Sequence, residues 1–174
     1  MRKHLIMVTA FFIAAFVISI AYPALAAENN AQTTISILFD SGVNSTLEAR
    51  QAKAQTQVAE WMEYDLVRVF ARYAKAGYQA KYIEKRQDFT PQTNNYLLTV
   101  KITEYKAGSK AARMMVGYGA GGATLKIHYE LFANGKNMIL TKDDSTYSGR
   151  EWINAARKLN QNIAKAVTEK LGNK

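Results

Sequence analysis

The chain contains no cysteine, only two prolines and only two histidines in 174 residues. Without cysteine there is no disulfide framework, no thiol nucleophile and no cysteine metal site. His4 lies among the first residues, so His128 is the only imidazole in the body of the chain. One histidine without cysteine does not make a typical zinc site. A Ser-His-acid triad would have to recruit His128, and no G-x-S-x-G elbow exists to serve it. No Lys-Ser or Lys-Thr follows the glycines, which removes a P-loop. Catalytic, metal and cofactor-binding residues are therefore all assigned as none.

What is present begins at the N-terminus. Arg2, Lys3 and His4 precede a run from Leu5 to Ala21 that only Thr9 and Ser19 interrupt. Tyr22-Pro23 ends the run, and Ala24-Leu25-Ala26 supplies small residues at the positions a signal peptidase reads. The expectation is a signal peptide over 1–26, cleaved after Ala26, and one domain over 27–174. A retained membrane anchor is the alternative. No lipobox cysteine follows, so a periplasmic or otherwise exported protein with no transmembrane span after cleavage is expected. The formal charge is +9. Setting aside Arg2 and Lys3 leaves about +7, still 14 acidic residues against a basic excess. That balance favours an anionic envelope component such as lipid headgroups or surface phosphates, and export argues against nucleic acid.

Thr34 to Asp40 alternates as a first strand, with Ile35, Ile37 and Phe39 on one face. Ser45-Thr46-Leu47-Glu48 has the form of a capping box and predicts a long helix from about Thr46 to Ala76, closed by Gly77. Its apolar stripe is Val58, Met62, Leu66, Val69, Phe70 and Tyr73, widened by Trp61, and its first turns are expected to project beyond the core. Strands follow over Tyr78–Glu84, Tyr96–Tyr105, Thr124–Phe132 and Asn137 to about Tyr147, with a polar loop over Lys85–Asn95. Asn134-Gly135 is the strongest hairpin signal. A basic C-terminal helix runs from Arg150 to Leu171 with Trp152, Ile153, Ala156, Leu159, Ile163, Val167 and Leu171 as its stripe. The order β-α-β-β-β-β-α predicts an α+β, two-layer α/β sandwich whose mainly antiparallel or mixed sheet is covered by two helices.

Five of the ten glycines fall between the third and fourth strands. Gly117-Tyr118-Gly119-Ala120-Gly121-Gly122 literally matches G-x-G-x-x-G, but that fingerprint needs a helix after it, and Thr124 onward alternates as a strand. Two readings of the loop stay open. Met114, Met115, Val116 and Tyr118 with Lys106, Lys110 and Arg113 make an apolar tip in a basic collar, fit for an envelope partner. The same residues also suit a short turn buried against the sheet. The candidate interaction loop is Gly108, Ser109, Lys110, Arg113, Met114, Met115, Gly117, Tyr118, Gly119 and Gly121. Arg113 is the anion-binding candidate, or else pins the loop on an acid such as Glu104. Asp143-Asp144 reads as a solvated strand end.

The pattern Tyr-x-x-Gly-Ser-x-x-x-Arg-x-x-x-Gly-x-Gly-x-Gly, carried by Tyr105, Gly108, Ser109, Arg113, Gly117, Gly119 and Gly121, resembles the core of a bacterial family of exported envelope proteins, the domain-of-unknown-function 4410 family. Many members have an acidic residue at the following hairpin, where this chain has Asn134-Gly135, and some carry a lipobox cysteine. The resemblance implies fold and location but no chemistry. The expected function is a non-enzymatic envelope binding or accessory module. The alternatives are a glycan-acting hydrolase with paired carboxylates and a protein that associates peripherally with membranes. The oligomeric state is left open.

Overall fold

A computed structural model describes residues 32–108, 121–149 and 151–172. In chain order the elements are β1 (Thr33–Asp40), α1 (Ala49–Ala71), β2 (Tyr78–Tyr82), β3 (Asn95–Lys106), β4 (Ala123–Ala133), β5 (Asn137–Ser148) and α2 (Trp152–Gly172). The strands form one sheet ordered β2-β1-β3-β4-β5. β1 is parallel to both β2 and β3, while β3-β4 and β4-β5 are antiparallel. The expected α+β sandwich is therefore what folds, with a mixed sheet.

Both helices lie on one face. Met62, Leu66 and Phe70 of α1 and Leu159, Ile163 and Val167 of α2 are fully buried against Ile35, Ile37, Leu98, Val100, Ile127, Tyr129 and Leu131. Alternation along the strands gives each of these an inward side chain. Trp61 and Trp152 meet edge to face at 5.8 Å, joining the two helices. Asn134 (φ 52) and Gly135 (φ 71) form the expected hairpin turn.

Three expectations are corrected. The helix starts at Ala49, not at Thr46, and Glu48 is its N-cap without a side-chain bond. The segment ahead of it is a turn instead, in which the Asn44 Oδ1 accepts from the Thr46 amide at 2.9 Å and the Thr46 hydroxyl at 2.6 Å. The helix also ends at Ala71. A short 3-10 turn, Ala74–Ala76, carries the chain to Gly77 (φ 81). The first turns of α1 project only in part: Arg50, Gln51 and Lys53 are exposed, but Gln55 is buried and donates to the Ser41 carbonyl at 2.7 Å.

The polar loop after β2 is also more than a loop. It packs on the sheet face away from the helices, where Ile83 and Phe89 join Leu97, Phe132 and Leu38 in a second small core. Arg86 stacks over the Phe132 ring at 4.7 Å and donates to the Gly135 carbonyl at 3.0 Å. This crossover occupies the hairpin end of that face and leaves the other end polar.

Candidate functional site

The polar end of the sheet is where β1 and β3 finish, β4 begins and the glycine-rich connection departs. Gly108 and Gly121 stand at the base of that connection. A Cβ on Gly108 would run into the Gly121 carbonyl and the Ala123 amide, so the two arms approach backbone to backbone. Gly122 is equally confined, between the Tyr147 ring and the Ser148 carbonyl. Gly121 has φ 68, which places a turn just before β4. A strand, not a helix, follows the glycines, as the sequence requires of a loop that is no dinucleotide site. Of the candidate loop, Ser109, Lys110, Arg113, Met114, Met115, Gly117, Tyr118 and Gly119 lie outside the described residues.

Beside this base is a cleft of about 730 Å³ between the start of α1 and the end of β3. Glu48, Arg50, Gln51 and Ala54 line one wall and Tyr105, Lys106, Ala107 and Gly108 the other. Tyr105 reaches the core side because the β3-β4 register shifts between Ile102 and Glu104. Burial raises its phenol pKa. Arg50 is exposed and has no acidic partner among the described residues.

The polar face itself is a lattice of cross-strand pairs. Glu104 is held by Lys106 at 2.6 Å and by Lys126 at 2.7 Å. Hydrogen bonds from Lys106 first and Lys126 second pull its carboxyl down to about 2. Lys101 meets Asp40 at 3.3 Å. His128 Nδ1 lies 2.8 Å from Asp143, and its Nε2 lies 3.6 Å from Glu130. The Asp143 bond, then the one to Glu130, raises the imidazole pKa against the opposing effect of burial. The Thr99 hydroxyl donates to Glu130 at 3.4 Å.

Sequence reasoning placed His128 correctly on a polar strand face but missed its two carboxylates. Nothing in the sequence announces Asp143 as a neighbour of His128; only the hairpin register brings them opposite one another. The Asp143-Asp144 pair is not a strand end. Both residues sit in the middle of β5, where Asp144 accepts from Asn162 of α2 at 2.9 Å. Glu104, named as a partner for Arg113, is engaged by Lys106 and Lys126.

Fold and site together define a two-layer α+β domain with one sheet face buried by helices and a glycine-rich connection at the end of the other. The chain belongs to the family described as a domain of unknown function, DUF4410, whose model matches residues 41–172. No curated protein matches it. Among solved structures it is similar to a PelC dodecamer from Paraburkholderia phytofirmans, at 10% identity over 80% of this chain and 89% of that one, with a TM-score of 0.51. The hypothetical protein CT253 from Chlamydia trachomatis is 10% identical, covering 76% and 96% of the two chains, with a TM-score of 0.43. Lipoprotein GNA1162 from Neisseria meningitidis is 14% identical, covering 82% and 99%, with a TM-score of 0.40. At these identities the PelC likeness is one of fold alone. Among the described residues no helix is long and apolar enough to cross a membrane.

Proposed function

We propose that the chain is an exported, non-enzymatic binding module of the cell envelope that takes an anionic envelope component or an envelope protein at the glycine-rich end of its sheet. The supporting observation is the cleft beside Gly108, where Arg50 faces solvent and makes no ion pair among the described residues, Glu48 on the same wall included. A guanidinium so placed gives a bidentate donor for phosphate or carboxylate. The hydrolase alternative draws little support from the polar face. Its carboxylates Asp40, Glu104, Glu130 and Asp143 are each spent on a lysine or on His128. The apolar run and Ala24-Leu25-Ala26 support export.

The test is capture of partners from envelope extracts by the wild type, Arg50→Ala and Arg113→Ala. Loss of the same partner from both variants is expected, and identical partner profiles would sink the reading. Export is checked separately, by fractionation and by sequencing the N-terminus of the secreted form, which is expected to start at Ala27.

A further inference from the structure

The sheet has two edges, and they are unlike. β2 offers five residues, whereas β5 offers twelve. We propose that β5 is a self-association edge, on which a second copy of this chain adds its own β5 antiparallel over Leu140 to Thr146, joining two five-stranded sheets into one.

Among the described residues the stretch Leu140 to Thr146 of β5 pairs only with β4, so its outer row of amides and carbonyls has no sheet neighbour there. Identical antiparallel strands are related by a two-fold axis normal to the sheet. That axis keeps every residue on its own face, so opposed residues must share parity. Centred on Asp143, the pairing sets Lys142 opposite Asp144 of the second copy, and Asp144 opposite its Lys142. Thr141 then faces Ser145, and Leu140 faces Thr146. Charges in the middle of an edge ordinarily discourage pairing. Here their spacing makes the edge complementary to itself.

Both halves of the ion pair are prepared. Lys142 is exposed and makes no ion pair among the described residues. Asp144 lies in a groove of about 310 Å³ between β5 and α2, lined also by Asn162, Lys165 and Glu169. Its carboxylate is oriented by the Asn162 amide at 2.9 Å and retains acceptor sites for an ammonium group; its other oxygen takes the Ser145 amide at 2.8 Å, a donor that the pairing hands over to the Thr141 carbonyl of the second copy. A heterologous contact of β5 on β2 would leave more than half of β5 unpaired, since β2 is only five residues long.

The same register brings Asp143 against its own copy on the polar face. His128 holds each Asp143 at 2.8 Å. The imidazole is also faced by Glu130 along β4 at 3.6 Å, and by Lys101 of β3, which pairs with Asp40 of β1. Lys126 follows on β4 and is committed to Glu104. An imidazolium offsets the Asp143 charge, so protonating His128 tightens the pairing. Nothing in this pairing depends on where the protein resides.

Sedimentation of the full chain across protein concentration tests the proposal. A monomer–dimer equilibrium is expected, tighter at pH 6 than at pH 8. Lys142→Glu, on an exposed side chain that does not threaten folding, and Asp144→Lys should each weaken the dimer roughly tenfold, because two cross-strand pairs turn repulsive. Combining them restores the pairs and should return the affinity to within about threefold of wild type. Asp143→Asn should tighten the dimer and flatten its pH dependence. Amide exchange at Thr141 to Ser145 should slow as concentration rises. A monomer at every concentration up to about 1 mM, or singles that leave association unchanged, or a double variant no better than the singles, overturns it.

Discussion

Replacing Tyr129 by Phe should not weaken this protein, although Tyr129 is among its largest fully buried side chains. Its ring lies in the main core beneath the helices, and its hydroxyl finds no hydrogen-bond partner among the described residues. A tyrosine hydroxyl that makes a native bond contributes about 1 kcal/mol, and its removal costs that much. A hydroxyl buried without a bond has the opposite sign, since desolving it costs roughly 1–3 kcal/mol on folding. Tyr129→Phe keeps the ring and its contacts and removes only the oxygen. The expected change at pH 7 is therefore between neutral and a gain of about 1 kcal/mol, read as a shift in the urea midpoint at constant m-value.

Alkaline pH sharpens the same experiment. Burial first, with a smaller contribution from Asp144, raises the phenol from 10.0 to about 12. A raised pKa means that the folded state resists losing the proton. Stability is intact below pH 10 and falls as pH climbs from 10 through about 12. The full penalty is roughly 2–3 kcal/mol for that displacement. Wild type should lose this stability in strong alkali and Tyr129→Phe should lose less, so the variant's advantage should widen between pH 9 and pH 11. A loss above about 1.5 kcal/mol at pH 7 would refute the reasoning, because it would mean that the hydroxyl makes a bond in the native state.

Asn160 differs in having a bonded half: fully buried, its side-chain NH2 donates to the Met62 carbonyl at 2.9 Å and to Asp65 at 3.0 Å, tying α2 to α1, while its Oδ1 accepts nothing among the described residues. Asn160→Ala should cost about 2–4 kcal/mol by calorimetry or urea titration, because one of the two lost bonds is to a carboxylate. Gly42 has φ +67, and a Cβ there would strike the Ile102 carbonyl, so Gly42→Ala should destabilise by roughly 1–3 kcal/mol and lower Tm. His128 should titrate above 6.5 by NMR in the wild type and fall back towards 6.5 in Asp143→Asn. Its contribution is present below pH 6.5 and is lost as pH rises through the raised value. Glu104, held near 2, contributes above pH 4.5 and loses that contribution as pH falls through about 2, so Glu104→Gln should flatten the acid limb of a stability–pH curve.

The parts of this fold that were readable in advance are those fixed by local periodicity. Alternation in β3 and β4 named the inward residues correctly, because one face had to meet both helices. Asn134-Gly135 named its turn because few residues tolerate positive φ at consecutive positions. The failures share a cause. Ser45 and Glu48 satisfy a capping pattern, yet Asn44 holds Ser45 and Thr46 in a turn of its own, and a pattern search does not weigh such local alternatives. Phe89 sits in a segment that is otherwise polar, so one apolar residue gave no period to detect, although it anchors the crossover.

The polar lattice was hidden for a different reason. Glu104 and Lys126 are far apart in sequence, and the β3-β4 register shift just before Glu104 decides which lysine it meets. A one-residue error in pairing would invert every such contact. His128 and Asp143 become neighbours only because the turn at Asn134-Gly135 and the irregularity between Leu131 and Phe132 together set the β4-β5 register. Chemistry on this sheet is thus a property of register, not of composition. That is why an imidazole that looked inert in sequence lies between two carboxylates, and why the same register, continued across the β5 edge in the proposed pairing, sets Lys142 against Asp144.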